Sequence, residues 1–430
     1  MSPHTRFSLL APFRVRAFLF QWPADLLTNC GIEMEILMLG WFILTETRSV
    51  LLLTVFAALR YLGTLVAPAF GMAGDKYGHR RVLCAMRAIY VVVAAGMTLL
   101  TMLGWLGPGP IFAAATILGI IRPSDLAMRN AIIAAIMPAE TLMSAMGTAG
   151  TTSDCSRILG PLAGAGIIAA VGMGPAYLAI TLCYGLALIL TMMGGQGLAH
   201  RRAAGVGQAS FIREVMEGLR FVWRTPCLHA GMWIAVLVNA TVIPLTGGLM
   251  PYIARDIYHL DRFGLGGLLA CFSFGAFCGS VTVSIIGQSL PAARTMILAV
   301  LAWCVMVQVY VFMPSPVSAG IVLVLAGIAQ NFCQVPLFAM LLRVSGEQYR
   351  GRVMGVRMMA IYGLPLGLLT AGALIERIGF PAMATGSCLF GLTATLAILA
   401  WWRDAIWPLT AEGNRLSRPS QTVSRSATAA

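Results

Sequence analysis

Four polar residues recur at intervals of four in the first long apolar stretch of the chain: Gln21, Asp25, Asn29 and Glu33. At 3.6 residues per helical turn they form one slowly drifting stripe, and Glu35 lies nearly opposite Glu33. Carboxyl groups in an apolar segment are costly, so they are candidates for binding a cation or exchanging a proton. The stripe therefore predicts a water-filled cavity. The alternative is that interhelical arginines simply neutralise these carboxylates.

Asp25 and Glu33 are the first choices for a carboxyl group that exchanges a proton in competition with a cationic or amphipathic ligand. Arg60, in the second apolar stretch, is the expected partner, or a purely structural counter-ion. In the second half of the chain the polar candidates include Asn239, Gln330 and Gln334. Gln330 and Gln334 are one turn apart, and they would either hydrogen-bond a ligand or join two helices.

Two further groups of charges fall inside apolar stretches. Arg122, Asp125 and Arg129 have the spacing i, i+3, i+7, and Asp154 and Arg157 have the spacing i, i+3, so each group shares a helix face. We expect an ion-pair network that closes a cytosolic gate and breaks when the gate opens. In the alternative interpretation, Asp125 or Asp154 is a second proton site.

The composition explains why such charges stand out. Of the 430 residues, 59% are hydrophobic and only 10% are charged, and the mean hydropathy is +0.84. These values exclude a soluble enzyme, a disordered chain and a nucleic-acid-binding protein, and they indicate an all-α integral membrane protein. The ten cysteines form no CxxC pair and the five histidines do not cluster, so we expect neither a metal site nor an enzyme.

Twelve stretches are long and apolar enough to cross a bilayer, with short connections between most of them. Their approximate bounds are 17–44, 50–73, 82–105, 109–132, 143–171, 174–195, 230–254, 264–287, 292–313, 316–342, 353–374 and 379–402.

The predicted spans divide into two pseudo-symmetric halves of six helices, 1–195 and 230–403. A polar, basic linker, 196–229, joins them and contains an amphipathic pattern over 210–224. The tail, 404–430, is polar and is expected to be disordered. Two six-helix halves are typical of a transporter that works by alternating access around a central site.

The basic residues predict the orientation. Most of the 29 lysines and arginines fall in the termini, in the linker and in the loops on the same side as these segments. Because cytosolic loops carry an excess of Lys and Arg, both termini are expected to be cytosolic.

The loop between the second and third spans resembles the signature loop of the major facilitator superfamily. The matching residues are Gly71, Asp75, Lys76, Gly78, Arg80 and Arg81, with His79 where the family usually has a basic residue. Gly71 and Gly78 are expected to permit a tight turn and a close helix approach. Asp75 is expected to accept hydrogen bonds from a neighbouring helix N-terminus and an arginine, which would lock the cytosolic side.

In the fifth span, Gly160, Pro161 and Gly164 resemble the Gly-Pro-x-x-Gly-Gly element of exporters in this superfamily, with Ala165 replacing one glycine. They predict a thin, kinked helix that packs closely on a neighbour. Together with the segment Arg350–Gly355, these motifs are similar to the enterobactin-exporter-like and multidrug-efflux branch. The resemblance covers most of residues 12–402.

This resemblance implies a major facilitator fold and a secondary active transporter, with proton-coupled efflux of a small amphipathic or hydrophobic compound such as a drug, siderophore or metabolite. The proton gradient would drive it without a cofactor, as no nucleotide-binding motif is present. The expected partners are a small-molecule substrate and the lipid bilayer, not nucleic acid, and the expected state is a monomer in a bacterial cytoplasmic (inner) membrane. The alternatives are uptake of a small solute or metal chelate, and a non-transporting membrane sensor or scaffold.

Overall fold

The computed structural model describes residues 11–64, 66–194, 208–286 and 291–403, and these residues form helices and connecting turns. The predicted tail, 404–430, and most of the linker before residue 208 lie outside the described residues. The helices of the N-terminal half are α1 (Arg16–Thr47), α2 (Val50–Leu59), α3 (Ala67–Tyr77), α4 (His79–Met102), α5 (Pro108–Ile136), α6 (Ala139–Val171) and α7 (Met173–Met193).

The linker helix is α8 (Gln208–Arg224), which covers the stretch with the amphipathic pattern. The helices of the C-terminal half are α9 (Pro226–Thr246), α10 (Met250–Tyr252), α11 (Arg262–Ile286), α12 (Ala292–Val311), α13 (Pro316–Val344), α14 (Gly346–Met359), α15 (Gly363–Ile378) and α16 (Phe380–Trp401).

Eleven helical stretches in the described residues are long and apolar enough to cross a membrane. The twelfth predicted span, 50–73, is present but interrupted: α2 ends at Leu59 and α3 begins at Ala67. Between them the chain passes close to the middle of α5, where a Cβ atom on Gly63 would lie 2.0 Å from the carbonyl oxygen of Ile120. The predicted span is therefore made of two helices, because backbone-to-backbone packing against α5 and a proline in the first turn of α3 interrupt it.

The helix bundle has two ends, which we name by their charge. The basic face holds the start of α1, the turn between α3 and α4, and α8. The opposite face holds the turn between α1 and α2 and the start of α11. The turn at the basic face depends on Gly78, whose φ of 93° lies in a region that favours glycine.

The two halves are joined at the opposite face. Arg255 donates to the carbonyl oxygen of Leu44 at 2.6 Å, and Glu376 accepts from the Ser49 hydroxyl at 2.9 Å. Helix α2 packs along α15 in the same region, where a Cβ atom on Gly372 would overlap Thr54. The described conformation is therefore sealed at the opposite face.

Candidate functional site

Asp25 lies inside the N-terminal half, in contact with a cation from another helix. Arg87 of α4 donates to the Asp25 carboxylate and to the Thr191 hydroxyl, and the Gln21 amide donates to Asp25 at 2.7 Å. Arg87 is 1% exposed and Asp25 is 7% exposed. The sequence-based expectation that Arg60 would be the partner of Asp25 is therefore wrong, because Arg87 of α4 occupies this position.

A second polar network lies one turn further along α1. Arg129 of α5 approaches the carboxylate of Asp125 to 2.9 Å and donates to the Asn29 side-chain oxygen, also at 2.9 Å. The Asn29 amide donates to the Ser153 hydroxyl of α6 at 3.3 Å. The two hydrogen bonds of Asn29 thus join α1 to α5 and α6, and the ion pair lies within α5.

These networks border a first cavity of about 210 Å³ between α1, α5 and α6. Its polar wall includes Asp25, Asn29 and Ser153, and its apolar wall includes Phe18 and Trp22. Of the four residues in the predicted stripe, Asp25 and Asn29 line this cavity. Gln21 does not line it, but it donates a hydrogen bond to Asp25. The mixed lining can accept an amphipathic molecule that places its polar end toward the networks.

Glu33, the fourth residue of the stripe, turns away toward α6. A Cβ atom on Gly160 would lie 2.7 Å from the Glu33 Cβ atom, and one on Gly164 would lie 3.2 Å from the Met34 Cα atom. The fifth span, which also contains Pro161, therefore packs directly on α1 at Gly160 and Gly164.

Glu35 is 3% exposed and lies deeper in the N-terminal half than Asp25. The hydroxyl of Tyr184 donates to its carboxylate at 3.2 Å, and that of Tyr177 donates at 3.4 Å. Glu35 lines a second, smaller cavity together with Arg60 and Arg122. Two arginines and one carboxylate thus line this cavity, and two tyrosines hydrogen-bond the same carboxylate.

Arg122 was expected to form an ion-pair network with Asp125 and Arg129, and the structure does not bring it to them. Its side chain lies at the second cavity, with Nη2 at 3.5 Å from the carbonyl oxygen of Ile32, while Asp125 pairs with Arg129. The three residues share one face of α5, as their spacing requires. The long Arg122 side chain, however, extends away from Asp125 toward the middle of the bundle.

The signature loop forms the end of α3 and the start of α4. Gly78 makes the turn, and Arg80 donates to the carbonyl oxygen of Thr191, which ties the loop to α7. Lys76 and Arg81 are exposed. Asp75 lies in α3, and its side chain is outside the described residues.

The predicted close approach at Gly71 is not seen, since no atom lies within 4 Å of a Cβ atom placed there. The close contact occurs one turn later at Gly74, where a Cβ atom would lie 2.9 Å from the Met128 sulfur. The remaining gate candidates lie on α6, where Asp154 is half-buried and Arg157 is exposed.

In the C-terminal half, the amide of Asn239 donates to the carbonyl oxygen of Ala235 in its own helix at 2.8 Å. Gln330 is half-buried, and the Gln334 side-chain oxygen accepts from Arg357 at 3.1 Å. The Arg357 guanidinium lies 3.2 Å from the Phe338 ring centroid. Arg357 lies within α14, beside α13.

Sequence reasoning missed several residues that complete these sites: Arg87, Tyr177, Tyr184, Thr191 and Arg357. The available signal was Arg87 itself, a cation well inside an apolar span. The tyrosines gave no signal, because aromatic residues in spans are ordinarily packing residues.

The comparisons with known proteins agree with this architecture. A family model described as a transmembrane secretion effector matches residues 7–412. The multidrug efflux pump Tap of Mycobacterium tuberculosis is 27% identical over 387 residues, covering 86% of this chain and 91% of Tap. The multi-drug resistance efflux pump PmrA of Streptococcus pneumoniae is 21% identical over 342 residues, covering 76% of this chain and 82% of PmrA.

Solved structures show the same fold. The nucleoside transporter NupG superposes with a TM-score of 0.70 at 12% identity, covering 90% of this chain and 99% of NupG. A bacterial homologue of the lysosomal transporter Spinster gives a TM-score of 0.68 at 14% identity, covering 96% of this chain and 99% of that chain. The predicted fold class and the predicted multidrug-efflux branch are both confirmed, and the chain is a multi-pass membrane transporter, not an enzyme. The chain belongs to the transmembrane secretion effector family of the major facilitator superfamily.

Proposed function

We propose that this protein is a proton-coupled efflux transporter for a small amphipathic or hydrophobic compound. It works as a monomer in a bacterial cytoplasmic membrane, with the basic face and both termini in the cytosol. The efflux direction is supported by the similarity of this chain to the efflux pumps Tap and PmrA. The orientation is supported by the concentration of arginine in the segments of the basic face.

Glu35 is the observation that carries this proposal. A coupling carboxyl group must be stable both with and without its proton. The Tyr177 and Tyr184 hydroxyls can donate to the carboxylate and can rotate to accept from the protonated acid. Arg60 and Arg122 at the same cavity support the charged form without an ion-pair contact to Glu35 among the described residues.

Asp25 is less suited to this role. Protonation of Asp25 would remove the negative partner of Arg87, which is 1% exposed, and a buried cation without a partner is strongly unfavourable. We therefore assign Asp25 to the structure of the N-terminal half and Glu35 to proton exchange. Glu33, which packs against α6, is a weaker candidate than Glu35.

The first cavity is the proposed entry site for the substrate. It combines Phe18 and Trp22 with Asn29 and Ser153, so it offers both an apolar surface and hydrogen-bonding groups. At about 210 Å³ it is smaller than a typical drug-sized pocket, so it would hold one part of a larger molecule.

Alternating access requires the seal at the opposite face to open after the substrate has entered. The hydrogen bonds of Arg255 and Glu376 with the N-terminal half would then break. In that second state, the exposed side of α3 around Gly71 is free to contact the C-terminal half. This is where we place the gate function of the signature loop.

Transport assays in proteoliposomes test the proposal. A dye that the wild-type protein moves would be chosen from a panel of ethidium, a neutral acridine and an anionic fluorescein. We expect dye to move out of the compartment at the basic face when protons flow in the other direction, and a protonophore should abolish this. Movement toward the basic face would support uptake instead, and the absence of flux for every dye would support a sensor or scaffold.

A further inference from the structure

Helix α8 is attached to the C-terminal half. The stacked rings of Phe221 and Tyr349 have centroids 4.3 Å apart with an interplanar angle of 4°. The Glu217 carboxylate accepts from Arg352 of α14 at 3.0 Å. A Cβ atom on Gly218 would lie 2.9 Å from the Arg352 Cβ atom, so the two backbones are also in close contact. The helix therefore behaves as part of this half.

The exposed side of α8 is divided lengthwise into two strips. Arg213, Arg220 and Arg224 are exposed and fall within about 40° of one another on a helical projection. Met216 and Trp223 are 59% and 60% exposed and fall about 20° apart, directly beside the arginine strip. Two large apolar side chains on one exposed face are unfavourable for a helix that contacts only water, so this face indicates a contact with an apolar medium.

The apolar strip continues into an aromatic cluster at the end of α8. The ring of His229 lies 4.7 Å from that of Trp223 and 5.1 Å from that of Trp402, measured between centroids. The Trp233 indole donates to His229 at 3.0 Å, and the neighbouring Trp401 is 83% exposed. Tryptophan is enriched where a protein meets the boundary between lipid tails and headgroups.

We propose that this surface binds an anionic phospholipid headgroup in the leaflet at the basic face. Arg220 and Arg224 contact the phosphate and the anionic headgroup, and Trp223 and Met216 lie against the upper part of the acyl chains. An adjacent basic strip and apolar strip match the two layers of a membrane boundary, which a water-soluble acidic protein does not provide. Because α8 is fixed to α14, the lipid anchors the C-terminal half at the membrane surface.

The test measures lipid retention by the purified full-length protein in detergent, using native mass spectrometry. Dioleoylphosphatidylglycerol and dioleoylphosphatidylcholine are compared, since they have the same acyl chains and differ only in the headgroup. We expect wild type to prefer the anionic lipid, with the two arginines supporting a preference of up to about 30-fold. The double variant R220Q/R224Q should lose most of this preference.

Two controls make the result specific. The variant R48Q/R377Q removes the same charge from exposed positions at the opposite face and should keep the preference. The variant R220K/R224K keeps the charge and should also retain it, which separates loss of charge from loss of folding. An unchanged preference in R220Q/R224Q, or an equal loss in R48Q/R377Q, would overturn the proposal. Capture of an acidic protein without any lipid preference would overturn it as well.

Discussion

In both halves of the bundle, helices pack closely at glycines, but the two interiors differ in their charged residues. In the N-terminal half, Asp25 pairs with Arg87, Asp125 pairs with Arg129, and Glu35 is buried without an ion pair among the described residues. In the described part of the C-terminal half, charged side chains lie at the two faces of the bundle.

Arg357 is the exception in the C-terminal half, and its contacts are with Gln334 and the Phe338 ring. The carboxylates that the structure describes inside the bundle therefore belong to the N-terminal half. In the proposed mechanism, the C-terminal half supplies an apolar surface that moves against it.

The largest effect is expected where a buried ion pair loses one member. The change D25N leaves Arg87 buried without its anion, so we expect the free energy of unfolding to fall by about 3–5 kcal/mol. A lower melting temperature and a lower membrane yield would report this loss.

The matched control for this prediction is D256N, which removes a carboxylate from the partly exposed contact with Arg255 at 4.0 Å. A change of about 1 kcal/mol or less is expected there. Equal melting temperatures for the D25N and D256N variants would contradict a structural role for the buried pair.

A smaller effect, similar in both halves, is expected from glycine packing. A Cβ atom at Gly160 would lie 2.7 Å from that of Glu33, and one at Gly367 would lie 2.2 Å from the Ala240 carbonyl oxygen. Each change to alanine forces two helices apart, so G160A and G367A should each destabilise the protein by about 1–3 kcal/mol. Thermal unfolding measures both.

Open glycine positions serve as controls in each half. Nothing lies within 4 Å of a Cβ atom placed at Gly166 or Gly355. The changes G166A and G355A should therefore leave the melting temperature unchanged or raise it slightly, because alanine favours the helix. If only the N-terminal variant G160A were harmful, the similarity in packing between the halves would be wrong.

The smallest effect is expected for R357Q. This change removes a cation that has no acidic partner among the described residues, so it leaves no buried charge behind. Gln334 loses one hydrogen bond, and we expect a change of about 1 kcal/mol or less. The comparison is with R87Q, which should cost several times more because it leaves Asp25 unpaired. Similar melting temperatures for R357Q and R87Q would remove the proposed difference between the halves.

The sequence alone was sufficient to predict the fold class, because the length of the apolar stretches and the loop motifs are local properties of the chain. It was also sufficient to single out Asp25, Glu33 and Glu35 as candidates, with Asp25 and Glu33 as first choices, since a carboxyl group within an apolar span is visible without a structure. The partners could not be predicted, because Arg87 is 62 residues away from Asp25 and the choice between Arg87 and Arg60 depends on helix placement.

Two other features of the structure differ from the sequence-based predictions, and each has a physical cause. The interruption of the second span is determined by its contact with α5, and Gly63 and Pro68 in the sequence hint at it without requiring it. The position of Arg122 at the second cavity, apart from Asp125, depends on the direction of a long side chain, which helical spacing does not fix.

Transport by the E35Q variant tests the central claim most directly. The amide keeps the size of Glu35 and can still accept from Tyr184, but it cannot exchange a proton. We expect E35Q to lose accumulation driven by a pH gradient while keeping substrate counterflow, and E33Q, two residues away on the same helix, to keep both. Both fluxes would be measured in proteoliposomes at equal protein content and with melting temperatures recorded. Normal gradient-driven accumulation by E35Q would contradict the assignment of proton exchange to Glu35.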